Sequence, residues 1–72
     1  MPLIDIHVLE GVFDDAEKRR IIEETVKGFG RAAGTAMMNA TSVRIHEVKS
    51  GSWGGANTLW TTEKALEMKG RE

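Results

Sequence analysis

Proline follows the first methionine of this 72-residue chain, and the position raises a chemical question before a structural one. Within a chain, a proline nitrogen is an amide with no N–H and no useful basicity. Once Met1 is removed, the nitrogen of Pro2 becomes a secondary amine on a rigid ring, with no side-chain rotamer to order. An α-amino group titrates near ~8, so such an amine can serve as a base close to neutral pH. Few other residues could take part in chemistry with it. Ser42, Arg44 and His46 stand two apart in "SVRIHEV", and Trp53 follows in "SGSWGG". The chain has no cysteine, which excludes disulfides and thiolate metal sites. His7 and His46 are far apart in sequence and make no ligand-spaced cluster, so no metal is expected, and no motif calls for an organic cofactor.

These residues must be held by a small number of elements. Leu3 to Leu9 reads as a strand, with Ile4, Ile6 and Val8 on one face and Leu3, Asp5, His7 and Leu9 on the other. One face is apolar and the other half apolar, which predicts cover on both sides. Gly11 ends that strand. Asp14 with Glu17 three residues later forms a capping-box start to a helix, and Asp15 and Glu17 suit the positive end of its dipole. Ile22, Val26, Phe29 and Ala33, with Ile21 and Thr25 alongside, make one apolar stripe. Gly28 and Gly30 each weaken the helix by roughly 1 kcal/mol relative to alanine, so the helix either packs closely there or frays. "GFGRAAG" lacks the spacing and the preceding strand of a dinucleotide-binding loop.

Thr41 to Val48 alternates as a second strand, with Val43 and Ile45 on one face and Ser42, Arg44, His46 and Val48 on the other. Met37 and Met38 read as gap-fillers in the loop before it. "KSGSWGGAN" predicts a short hairpin around Trp53, and Thr61 or Thr62 caps a brief helix that ends at Gly70. A helical crossover of this length favours parallel pairing of the two strands. The expectation is therefore an α+β fold, a β-α-β unit with a C-terminal hairpin and short helix, in a single domain spanning residues 1–72.

Composition narrows the partners. A chain of 72 residues buries little apolar surface and usually needs a staple or a partner. With disulfides and zinc set aside, self-association is the remaining common remedy. Ten basic and eleven acidic residues give a formal charge of −1, so there is no electrostatic case for nucleic acid or an anionic membrane. No apolar stretch reaches the length of a membrane span, and the first residues lack the n- and h-regions of a signal peptide. A cytoplasmic protein is expected.

Taken in order, "MPLIDIHVLEG", a charged helix, "SVRIHEV" and "SGSWGG" resemble the 4-oxalocrotonate tautomerase family of the tautomerase superfamily, over nearly the whole chain to about Ala56. The resemblance implies β-α-β subunits paired into a four-stranded dimer sheet. It further implies three such dimers in a hexamer, or a related hetero-oligomer of two kinds of chain. It also implies that Pro2 is the catalytic base, that an arginine grips an acidic substrate, and that an aromatic residue at Trp53 walls the pocket. The activity expected from the resemblance is enol–keto proton transfer on a small 2-oxo or enol carboxylic acid. Apolar walls from Leu3, Trp53 and neighbouring subunits, with Arg44 nearby, would depress the amine pKa further.

The sequence departs from that family in two places. Val12 stands where members acting on dicarboxylates carry an arginine after "LEG", and Ser42 occupies the position of the second family arginine. Arg44 lies two residues further along the same strand face, about 6–7 Å away. Arg44 is thus either an anion ligand or a salt-bridge residue, and His46 either borders the substrate or packs between subunits. The alternative function is a non-catalytic or partner-dependent subunit of an oligomer with this fold.

Overall fold

The structure is a computed structural model that describes residues 1–70. It begins with strand β1 (Leu3–Leu9), crosses over through helices α1 (Asp15–Ala33) and α2 (Thr35–Asn39), and returns as strand β2 (Ser42–Val48). A two-residue hairpin, β3 (Trp53–Gly54) with β4 (Leu59–Trp60), and helix α3 (Thr62–Lys69) complete it. The long strands β1 and β2 pair in parallel, and β3 and β4 pair antiparallel in a separate sheet. The expected β-α-β unit, hairpin and C-terminal helix are all present.

Local chemistry accounts for each boundary. Asp14 stays extended and its Oδ1 accepts from the Glu17 N–H at 2.8 Å, while Glu17 Oε1 accepts from the Asp14 N–H at 3.0 Å. This reciprocal pair satisfies two donors that the first turn of α1 would leave open. Gly34 closes α1 and opens α2 at φ 99°, a left-handed backbone that costs glycine little. Thr61 is the cap of α3, with its Oγ1 accepting from the Lys64 N–H at 3.2 Å. The second strand starts at Ser42 rather than Thr41, because the Thr41 hydroxyl donates back to the Met37 carbonyl at 2.7 Å and so belongs to the turn after α2.

Alternating exposure along both long strands shows how the layers lie. Ile4, Ile6, Val8, Val43 and Ile45 are half-buried, whereas Leu3, Asp5, His7, Ser42 and Arg44 are exposed. Helix α1 lies on the first of these faces and is pinned there by Lys18, whose Nζ is 3.1 Å from Glu47 Oε1 on β2. The expected apolar stripe is half-buried at Ile22, Val26 and Phe29, but Ala33 is exposed because the chain turns away at Gly34. Met37 and Met38 lie within α2 and not in a loop. Met38 folds onto Gly30, so the glycine marks close packing, not fraying: a Cβ there would sit 2.5 Å from Met38 Cγ.

The hairpin and α3 are tied to the far end of β1. Glu10 N–H donates to the Val48 carbonyl at 2.8 Å, and Glu10 Oε2 accepts from the Ser50 N–H at 2.9 Å. The Thr62 hydroxyl donates to the Glu10 carbonyl at 2.7 Å. Lys69 Nζ reaches Glu17 Oε2 at 2.6 Å and donates to the Val12 carbonyl at 3.0 Å. Around this junction lie Leu9 and Val12, each 7 % exposed, the buried apolar side chains among the described residues. The opposite sheet face is uncovered, with Leu3 half exposed. No helix of the described residues is long and apolar enough to cross a membrane.

The two helical glycines should respond in opposite ways to alanine. At Gly28 a Cβ meets only Arg31 Nη2, at an ordinary 3.5 Å, so Gly28→Ala should stabilise by up to about 1 kcal/mol through helix propensity. Gly30→Ala should destabilise by about 1–3 kcal/mol, because Met38 must be displaced along its whole stem. Urea denaturation of the two variants checks the sign of each.

Candidate functional site

The parallel register decides which side chains meet. Asp5 stands opposite Arg44 and His7 opposite His46, all four on the uncovered sheet face. Asp5 engages Arg44 through two bonds, Nε to Oδ1 at 3.0 Å and Nη2 to Oδ2 at 3.3 Å, the bidentate geometry for which a planar guanidinium is suited. His46 Nε2 also lies 3.1 Å from Asp5 Oδ1. An ionised carboxylate only accepts, so Nε2 carries the proton and donates. The His7 and His46 rings are stacked, with centroids 4.7 Å apart and planes 19° from parallel.

The electrostatics follow from that geometry. Hydrogen bonds from Arg44 and then from His46 hold the Asp5 carboxyl down to about 2, from an ordinary 3.8. The same Asp5 contact raises the Arg44 pKa. Within this chain Arg44 forms a salt bridge with Asp5. Neither Glu10 nor Glu47 orients it, since Glu10 holds Ser50 and Glu47 holds Lys18. Asp5 is the residue that sequence reading passed over. Its signal was the coincidence of two strand positions, Asp5 and Arg44, which becomes visible only with the register known.

Pro2 sits at the leading end of the sheet, half-buried, with its carbonyl accepting from the Ser42 N–H at 2.9 Å. The Met1 ammonium donates to the Ala40 carbonyl at 2.6 Å, and with Met1 attached the Pro2 nitrogen is an amide. Pro2 and Ser42 are therefore neighbours. Trp53 is not near them. It follows the trailing end of β2 and pairs with Trp60 across the small hairpin. The seven residues of β1 separate the two ends by about 20 Å at ~3.3 Å per residue.

At the trailing end lies a cavity of about 340 Å³, lined mainly by Leu9, Val12, Phe13, Trp53, Trp60 and Met68. Lys69 also reaches it, with its Nζ 5.1 Å from the centre of the Phe13 ring. Its contact with Lys69, then the Asp14 backbone bond, lowers the Glu17 pKa, so the two side chains form an ion pair beside the cavity. Among the expected residues, Trp53 alone lines this cavity. Phe13, Trp60, Met68 and Lys69 were not singled out from the sequence, because their convergence depends on how α3 folds back over β1.

The chain thus groups Pro2 with Ser42, groups Arg44 with His46 through Asp5, and holds Trp53 apart from both. Among the described residues, no three His, Asp or Glu side chains converge as metal ligands. No family model matches the chain, and no curated protein matches it either.

The Asp5 clamp has a pH signature. Its folded pKa is depressed, so the stabilisation is fully present above about pH 4 and fades as the pH falls toward about 2. Melting curves followed by circular dichroism should show wild type losing its advantage over Asp5→Asn across that interval. Curves that stay parallel down to pH 2 would remove the clamp from the stability of the fold.

Proposed function

We propose that this chain is a subunit of an oligomeric tautomerase in which Pro2, exposed by removal of Met1, is the general base for enol–keto proton transfer. The substrate is a small 2-oxo or enol carboxylic acid. The observation that carries the reading is the parallel β-α-β unit beginning at Pro2, with most of one sheet face uncovered and, among the described residues, only Leu9 and Val12 buried. That arrangement matches the subunit implied by the "MPLIDIHVLEG … SVRIHEV … SGSWGG" resemblance. It also explains why the proposed site residues are divided between two ends of the sheet. In an assembly, the Pro2 end of one protomer meets the Trp53 cavity of another, and apolar surface too sparse for one chain is pooled.

In this scheme the neutral ring nitrogen takes the hydroxyl proton of the enol, and the resulting ammonium returns a proton to the adjacent carbon as the carbonyl forms. No net proton is consumed. Arg44 faces the carboxylate or the developing oxyanion, with Ser42 and His46 beside it on the same strand face. Trp53 keeps water from the amine, which favours its uncharged form. The scheme uses neither metal nor organic cofactor.

The Asp5 clamp supports a second reading. A guanidinium already satisfied by two carboxylate bonds is a structural group, and a non-catalytic subunit that uses the fold only to assemble, alone or beside an active partner chain, needs nothing more from it.

Three measurements separate these readings. Intact mass of the protein from its native host should show a chain beginning at Pro2, and uniform retention of Met1 would end the base assignment. In the processed protein, Pro2→Ala should abolish enolpyruvate ketonisation, whereas equal rates in wild type and variant would favour the non-catalytic reading. Arg44→Ala should cost about 2 kcal/mol in kcat/KM, and an unchanged value would leave Arg44 a purely structural residue.

A further inference from the structure

We infer that the trailing-end cavity is built for an aromatic ring, so that the acid taken by this protein is an aryl-bearing monocarboxylate and not a dicarboxylate. The inference rests on the proposed function for the site to which the cavity belongs, but its ligand class is argued from the cavity itself.

Size comes first. Dry apolar cavities of about 150 Å³ hold a benzene ring, and this one, at about 340 Å³, has room for a ring and a short chain. Its surface comes next. Phe13, Trp53 and Trp60 put three aromatic side chains in its lining and Met68 a thioether, partners that favour a ring through offset or edge contacts and sulfur–aromatic contacts. Leu9 and Val12 supply aliphatic surface and no hydrogen bond from their side chains.

Charge excludes the alternative. A second carboxylate in the cavity would need a cation, and the side chain at position 12 is valine. The cation at the cavity is Lys69, and its charge is already balanced by Glu17 at 2.6 Å. A second of its three donors is committed to the Val12 carbonyl at 3.0 Å. Drawing Lys69 onto a ligand carboxylate would break the contacts that fasten α3 to α1. The cavity wall is therefore neutral to a ligand, and the single carboxylate of the substrate belongs outside it, toward the amine.

Both tryptophans of the chain line the cavity, so their fluorescence reports its occupancy directly. The full chain is titrated at pH 7 with two probes that cannot tautomerise, 3-phenylpropanoate and hexanedioate. Saturable quenching by 3-phenylpropanoate is expected, with a Kd lower than that of hexanedioate by about tenfold or more. Met68→Glu retains both tryptophans at a half-exposed position and should weaken 3-phenylpropanoate by a similar factor. Equal or tighter hexanedioate binding, absence of saturable quenching because another protomer fills the cavity, or indifference to Met68→Glu would each overturn the inference. Binding is read without turnover, so the two claims fail separately. Selective ring binding by a protein that leaves enols unconverted would sink only the tautomerase reading, and Pro2-dependent ketonisation with a preference for the diacid would sink only this one.

Discussion

The parallel register of β1 on β2 is the constraint from which the rest of this structure follows. With Leu3 opposite Ser42 and His7 opposite His46, alternate residues along this stretch of the two strands face the same open surface, while Leu9 at the far end is buried. Asp5 is thereby placed beside Arg44, and His7 is stacked on His46. A slip of one residue would turn Arg44 into the apolar layer beneath α1 and expose Val43 and Ile45 to water. The same register sends Pro2 and Trp53 to opposite ends of the sheet. No rotamer change can bring groups about 20 Å apart into one site, so a site that uses both requires two chains.

The chain is short of cover in the same places. Two buried apolar side chains among the described residues, Leu9 and Val12, sit at the junction of β1 with the hairpin and α3. Leu3, Trp53 and Met68 remain substantially exposed. The ties that fix this junction are polar: Glu10 to Ser50, Thr62 to the Glu10 carbonyl, and Lys69 to Glu17 and Val12. They orient the hairpin and α3 more than they bury them. In the proposed assembly these exposed groups become interface and pocket wall.

Much of the fold was legible in the sequence because its signals are local. Asp14 and Glu17 announce the start of α1, Gly70 follows the end of α3, and the alternation in "LIDIHVL" and "SVRIHEV" separates the two sheet faces without any tertiary knowledge. The site was legible only in part. That Arg44 and His46 share a face is read from their spacing, but that Asp5 claims both depends on the pairing of residues thirty-nine and forty-one positions apart. Helix α2 escaped notice because five residues carry no periodicity of their own. Met38 holds its place by packing on Gly30, a contact that each residue explains only once the other is known. The cavity was missed for a similar reason, since Phe13, Trp60 and Met68 come from three separate segments.

Sedimentation of the processed protein at micromolar concentration tests the central claim most directly. The claim is that one chain can complete neither its core nor its site. The account predicts a folded species with the mass of several chains, which loses secondary structure when dilution or mild denaturant separates it. A particle with the mass of a single chain, cooperatively folded under the same conditions, would contradict it.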